Sequence, residues 1–285
     1  MQAAELPELQ RSERAGWEAN LTLGFRRVGP RTVLSHREHN GPLRVQRPFY
    51  PEGPDLCHVY VLHPPGGLAG GDRLSVNVML ESDAWGLLTT PAATKFYRTL
   101  GREAVQVNTL AVAEGAACEW LPQEAIVFGG ARAVSRTRVE LAAAARFAGW
   151  EVTCLGRPAA GDHFESGTYT SAFEIWHDSA PLWIDRSLFS RETLAASWGS
   201  RGLPVFGTFV CAPAAPPELV QTLREEIRFE ASDELFAVSS LRQVTVCRYL
   251  GRSTQRGLSC FQRAWQLLRP RLWQRPASPP RIWLT

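Results

Sequence analysis

The stretch 73-RLSVNVMLE-81 alternates without a break. Leu74, Val76, Val78 and Leu80 fall on one face of an extended chain, and Ser75, Asn77 and Met79 on the other. Successive side chains of a strand point to opposite faces, so the pattern predicts a strand with one face buried. The same signature recurs in LTLGFRRV (21–28), RTVLSHRE (31–38), LCHVYVLH (56–63), AVQVNTLAVA (104–113), GWEVTCLG (149–156), SAFEIWHD (171–178) and PLWIDRSLF (181–189), with Gly, Pro, Asn or Asp between the runs. Strand following strand with no helix between them predicts a mainly β body of antiparallel strands.

Helical spacing comes late. PPELVQTLREEIRF (216–229) sets Leu219, Leu223 and Ile227 four apart, and STQRGLSCFQRAWQLLRP (253–270) aligns Leu258, Phe261, Trp265 and Leu268 before Pro270. Two amphipathic helices near the C-terminus are therefore expected, with the strand LRQVTVCRYL (241–250) between them. A chain of 285 residues with 45% hydrophobic and 21% charged side chains has globular proportions and can bury a large core. Its formal charge of +3 balances many arginines against many acids, which leaves no footprint for nucleic acid or a membrane surface. The first twenty residues lack the basic start and apolar run of a secretory signal, and no segment approaches the ~18 apolar residues of a membrane helix. The chain reads as cytoplasmic. Six cysteines without a C-x-x-C pair disfavour a zinc ribbon or dithiol site and are expected to be reduced and buried.

The glycine-rich stretch HPPGGLAGGDRL (63–74) invites a phosphate-loop reading, but such a loop carries a lysine and opens a helix. Here a strand follows, and the single lysine of the chain is Lys95. Gly66, Gly67, Gly70 and Gly71 instead predict a double turn, which either presents Asp72 inward or lets it bond its own backbone. The histidines do not cluster: His58 and His63 are an odd number of residues apart and point to opposite faces, and Cys57 lies roughly 20 Å from His63 along the strand. Among the acids, Glu119, Glu124, Glu151 and Asp185 sit in apolar surroundings. Each either pairs with an arginine or faces a wet interior passage, and a pair of them would also suit glycoside hydrolysis. The residues alone leave open a transport scaffold, a β-solenoid-like hydrolase and an inert docking module.

Six segments, taken together and in order, carry a resemblance: RPFYPEG (47–53), HPPGGLAGGD (63–72), LTTPAATKFYR (88–98), EWLPQEAIVF (119–128), LGRPAAGDHF (155–164) and the terminal PRIWLT. The chain resembles the urease accessory protein family UreD, also called UreH, from about Gly16 to its last residue. The resemblance implies a flexible segment over residues 1–15 and one domain over 16–285, folded as a stacked, β-helix-like array of strands with two helices. It also implies a scaffold rather than an enzyme, one that joins a UreF-type protein and a UreG-type GTPase, docks on the urease apoprotein and helps insert nickel. No permanent cofactor is implied; Ni2+ would pass transiently through an internal tunnel. The polar positions of the matching motifs, Asp72, Thr94, Glu151 and Asp185, are the expected lining, because spaced oxygens hold a borderline cation weakly. Two departures stand out: many relatives read G-E-x-F where this chain has Gly161, Asp162, His163 and Phe164, and E-R-L where it has Asp185, Arg186 and Ser187. The Arg/Trp-rich C-terminus, with Trp265, Arg269, Trp273 and Trp283, is the expected partner-facing surface, since such residues are favoured at interfaces.

Overall fold

The computed structural model describes residues 16–229 and 233–284, so the expected flexible segment 1–15 lies outside the described residues. β1 (Glu18–Val28) and β2 (Arg31–Asn40) form an antiparallel hairpin, followed by β3 (Arg44–Val45) and β4 (Leu56–Leu62). The chain then winds from β5 (Arg73–Leu80) to β6 (Trp85–Thr89) and β7 (Thr94–Phe96). It continues through β8 (Ala104–Val112), β9 (Ala117–Trp120) and β10 (Ala125–Val127), and again through β11 (Arg132–Leu141), β12 (Arg146–Leu155) and β13 (Thr168–His177). The order closes with β14 (Ala180–Phe189), α1 (Arg191–Ala195), β15 (Val205–Ala212), α2 (Pro217–Glu226), β16 (Leu235–Leu241), β17 (Val244–Gly251) and α3 (Thr254–Trp273).

Two sheets result. The first has the order β14-β13-β11-β8-β5-β1-β2, and the second β16-β17-β15-β12-β9-β6-β4-β3, with β7 and β10 as a short flank beside β12. The mainly β class and the stacked arrangement are as expected. Strand direction is the correction: β1, β5, β8, β11 and β13 run parallel, as do β4, β6, β9 and β12. Among the described residues, antiparallel pairs are confined to the ends of the sheets. The physical reason lies in the connections. A parallel neighbour needs a crossover of a dozen residues or more, which usually is a helix. Here the crossover is itself a strand of the opposite sheet, so a chain with no helix between its strands still stacks them in parallel. Successive coils enter the first sheet at residues 73, 104 and 132, with no matching residues to betray a repeat.

The alternation read from residues 73–81 holds: Leu74, Val76, Val78 and Leu80 are buried between the sheets, and Met79 faces outward. Both expected helices form. α3 runs through Pro270 to Trp273 instead of stopping at the proline, because Trp273 packs edge-on against Trp85 with ring centroids 5.9 Å apart. Tertiary packing of that kind overrides a missing backbone donor in a last turn. The short α1 was not expected; Ser190 and Thr193 close it with a capping box.

Apolar packing divides into two bodies. One fills the space between the sheets, with Phe25, Leu110, Val139, Phe147 and Ile175. The other lies on the outer face of the second sheet, where α2 and α3 cover Trp150, Phe209 and Cys247. β12 serves both: Phe147, Gly149, Glu151, Thr153 and Leu155 share the inner phase, while Ala148, Trp150, Val152 and Cys154 face the helices. All six cysteines are free and buried, and burial pushes the thiols of Cys57, Cys154 and Cys260 up to about 11, so they stay protonated at neutral pH.

Candidate functional site

The space between the sheets is apolar at one end and carries polar side chains at the other. On β8 the inward positions are Ala104, Gln106, Asn108, Leu110 and Val112; on β11 they are Ala133, Ser135, Thr137, Val139 and Leu141. The register sets Ser135 beside Gln106 and Thr137 beside Asn108. Around this polar half lies a cavity of about 120 Å3, roomy enough for several waters. Its wall takes His63 from the end of β4, Thr90 from the break after β6, Thr94 from the start of β7, Glu151 and Thr153 from β12, and Tyr169 from β13. Strands of one sheet lie ~4.8 Å apart, so a wall reaching from β4 to β12 extends roughly 14 Å along the stack.

Glu151 is the charged group of this wall. Burial pushes its carboxyl up to about 7; a hydrogen bond with Thr137 works against the shift, and the negative charge of Asp185 adds to it. Thr137 in turn accepts from Asn108 Nδ2 at 2.9 Å. Tyr169 is pushed up to about 12 by burial and by the charge of Glu151, with hydrogen bonds to Thr153, Ser135 and Ser171 opposing. It remains a neutral phenol. His63 is shifted the other way: burial holds its imidazole below the ordinary histidine value, and the charge of Asp72 offsets part of this.

An acid whose folded-state pKa lies above its unfolded value binds its proton more tightly when folded, so stability falls as the pH rises between the two values. For Glu151 that window runs from 4.5 to about 7. Denaturation midpoints measured across it are expected to fall toward pH 7 in the native protein, and Glu151→Gln is expected to flatten this component of the slope. An unchanged slope in Glu151→Gln would mean that the carboxyl is solvated.

The four residues expected to line the passage have different fates. Thr94 and Glu151 line the cavity. Asp72 does not: only 9% exposed, it accepts hydrogen bonds from the backbone amides of Ala69 at 2.7 Å and Trp17 at 2.8 Å. Its carboxylate ties the double turn to the start of β1. That turn is as expected at its glycines. Gly71 adopts φ +97°, and a Cβ on Gly67 would stand 2.5 Å from the Tyr97 ring. Asp185, on the inner phase of β14, also lies outside the cavity wall; it pairs with Arg248 of β17 at 3.4 Å and is partly exposed. Its charge nevertheless reaches Glu151. The polar lining at His63, Gln106, Asn108, Ser135 and Thr153 was not anticipated, although polar residues on the inward phase of AVQVNTLAV were there to be read.

The expected partner-facing surface is corrected more fully. Trp265 is 1% exposed, Arg269 2% and Trp273 5%, all packed within the outer core. Trp283 is half-buried, donates from Nε1 to Thr89 Oγ1 at 2.8 Å and packs on Trp150 and Trp265. The reason is an ion cluster. Arg269 bridges Glu119, at 2.9 Å, and Glu52, at 2.7 Å, and donates to the Pro276 carbonyl. Glu119 also accepts from the indoles of Trp85 and Trp265, and Glu52 from His58 Nε2 at 2.9 Å. Burial pushes the Glu52 carboxyl up, but the hydrogen bonds from His58 and Arg269 outweigh it and hold it below the usual carboxylate range. Every oxygen of Glu119 and Glu52 accepts at least one hydrogen bond from this cluster, so this pair of acids is structural.

Among the described residues, no three of His, Cys, Asp or Glu converge to hold a metal ion, and no helix is long and apolar enough to cross a membrane. The family model described as UreD urease accessory protein matches residues 18–284. The chain is 44% identical over 286 residues to the urease accessory protein UreD of Dechloromonas aromatica (strain RCB), covering 99% of both chains. It is 43% identical to that of Azoarcus sp. (strain BH72), covering 95% of both, and 42% identical to urease accessory protein UreD 2 of Brucella anthropi, covering 95% of this chain and 99% of the relative. The chain therefore belongs to the UreD family of urease accessory proteins, an accessory component rather than an enzyme.

Proposed function

We propose that the chain is a scaffold which, in the cytoplasm and together with UreF- and UreG-type partners, docks on the urease apoprotein and passes Ni2+ toward its active site through the inter-sheet cavity. One observation carries this reading: a largely apolar cavity, dotted with hydroxyl, amide and imidazole groups and holding one ionisable carboxyl at Glu151, runs across the coils of the stack. A stack built for rigidity alone would fill that space with side chains, as it does at the Leu110 and Val139 end. Oxygen donors set singly along a wall suit a cargo that must leave again, since a borderline divalent ion is held briefly by hydroxyls and amides and firmly by clustered imidazoles or thiolates. GTP hydrolysis belongs, on this reading, to the UreG-type partner, because this chain has no phosphate loop.

Glu151→Gln combined with Thr94→Val leaves the outer faces of the molecule untouched. Complex formation with the partners is expected to survive, while the nickel bound per urease active site, measured by metal analysis after reconstitution, falls several-fold. Normal nickel content in urease matured with the double variant would remove the cavity from the route. Nickel entry is also expected to improve as the pH rises through about 7, because only the ionised Glu151 carboxylate is a ligand.

A further inference from the structure

His63 closes one end of the cavity, where β4 runs into the double turn. Its Nε2 is buried and has no hydrogen-bond partner. Buried side-chain nitrogens nearly always have one, so an orphan of this kind calls for a reason. His58 also leaves one nitrogen, Nδ1, unpartnered, but that ring is sealed on the opposite face of β4 against Glu52 and is not part of this wall. Trp120 Nε1 is a second orphan on the wall; an indole nitrogen only donates and offers nothing to a cation. The other polar side chains of the wall are hydroxyls, amides and the Glu151 carboxyl, and they present oxygens and amide nitrogens. His63 is thus the one imidazole among the described residues of the wall; in the tautomer that keeps its proton on Nδ1, the unpartnered Nε2 offers a lone pair, and the ring sits within reach of the field of Asp72.

We propose that His63 is a nitrogen station that admits borderline divalent transition cations to the passage and does not favour hard ones. The inference rests on the reading of the cavity as a cation route and adds its selectivity. Mg2+ and Ca2+ take oxygen ligands, and Mg2+ sheds water reluctantly. Imidazole nitrogen suits Ni2+, Co2+ and Zn2+. One such donor on a wall of oxygens raises the residence of a transition cation over that of Mg2+ without building the closed set of donors that would retain it. The negative charge of Asp72, bound to its own turn and unable to move onto the ion, adds attraction without adding a ligand.

The test uses the full chain in complex with its partner accessory proteins and urease apoprotein, loaded with Ni2+ against an excess of Mg2+. Two readouts are taken: nickel per urease active site by metal analysis, and X-ray absorption of the Ni2+-loaded accessory complex for imidazole scattering. His63→Gln keeps a polar side chain without the imidazole, His63→Asn repeats the test if glutamine impairs folding, and His63→Cys replaces the borderline imidazole by a softer thiolate donor. Exposed His36 as His36→Ala is the control for surface binding. The expected result is a loss of preference for Ni2+ over Mg2+ of at least about tenfold in His63→Gln, the lower end of what losing even an outer partner does to a metal site. His63→Cys should restore the preference with a sulfur signal in place of imidazole. If His63→Gln and His63→Asn deliver nickel with native preference while Glu151→Gln with Thr94→Val does not deliver it, the station is overturned and the route stands. If neither set of variants changes nickel content, both fall.

Discussion

Arg269→Ala is expected to destabilise the folded chain by about 3–5 kcal/mol, the usual consequence of removing one partner from a buried ion pair. Arg269 is 2% exposed, and its guanidinium bridges Glu119 and Glu52 and lies between the rings of Trp85 and Trp265, 5.3 and 5.2 Å from their centroids. Alanine leaves two carboxylates in the outer core without their shared cation, and no side chain of the cluster is free to replace it. Urea denaturation at neutral pH reads the loss directly. Arg269→Lys is expected to fall between, because an ammonium keeps the charge and loses the fork that reaches both acids. Arg269→Met with Glu52→Gln and Glu119→Gln should recover much of the deficit, since the charges leave together. Native Glu52 is held below the usual carboxylate range, so its contribution is present at neutral pH and is lost as the pH falls through that value. The native protein and Arg269→Ala should accordingly converge in acid. A loss below about 1 kcal/mol at neutral pH would place the pair in the weak class of exposed salt bridges and contradict the burial.

Trp150→Ala is expected to have an effect of similar size, about 3–5 kcal/mol, from lost burial and the cavity left behind. The ring is 1% exposed and touches Phe209, Phe261, Trp265 and Trp283, and its Nε1 donates to the Pro122 carbonyl at 2.8 Å. Those neighbours come from β15, from the middle of α3 and from the C-terminal tail, so no small adjustment of one element refills the space. Thermal and urea unfolding measure the loss. Trp150→Phe, which keeps an aromatic body and drops the indole donor, should lose less than half as much. A Trp150→Ala chain with native stability would show that α3 and the tail collapse onto the gap.

Much of this fold is legible in the sequence, and the illegible parts share a cause. Period-two alternation at 73–81 and the four-residue steps of Leu219, Leu223 and Ile227 depend on a few adjacent residues, and both give the right element. Strand direction depends on where the connection goes. Nothing in residues 81–84 says that the chain crosses to the opposite sheet instead of turning back on itself. The position of Arg269 depends on partners 150 and 217 residues away, so its sequence neighbourhood, rich in Arg and Trp, reads as a surface when it is an interior. Asp72 failed as a lining residue for a reason only partly local. One partner, Ala69 in its own turn, was close at hand, while the other, the Trp17 amide, lies 55 residues away, and between them they hold both carboxylate oxygens. Glu151 succeeded because its phase on β12 is fixed by Phe147 and Leu155, whose apolar character already assigns that face to the interior.

The parallel stacking has a further consequence for how the cavity is read. Each turn of the chain advances the stack by one strand spacing and contributes its own side chains to the wall, so depth along the cavity is graduated like a ruler whose marks are residues of separate coils. His63 stands at one end of this scale, Thr90 and Thr94 in the next coil, then Gln106 and Asn108, and then Ser135, Glu151 and Thr153 together in the coil that holds β11 and β12. Distance in sequence between these marks is immaterial; level in the stack is what orders them. A series of single substitutions taken in that order would sample successive depths of one interior space, each in a coil that leaves the mark above and the mark below in place.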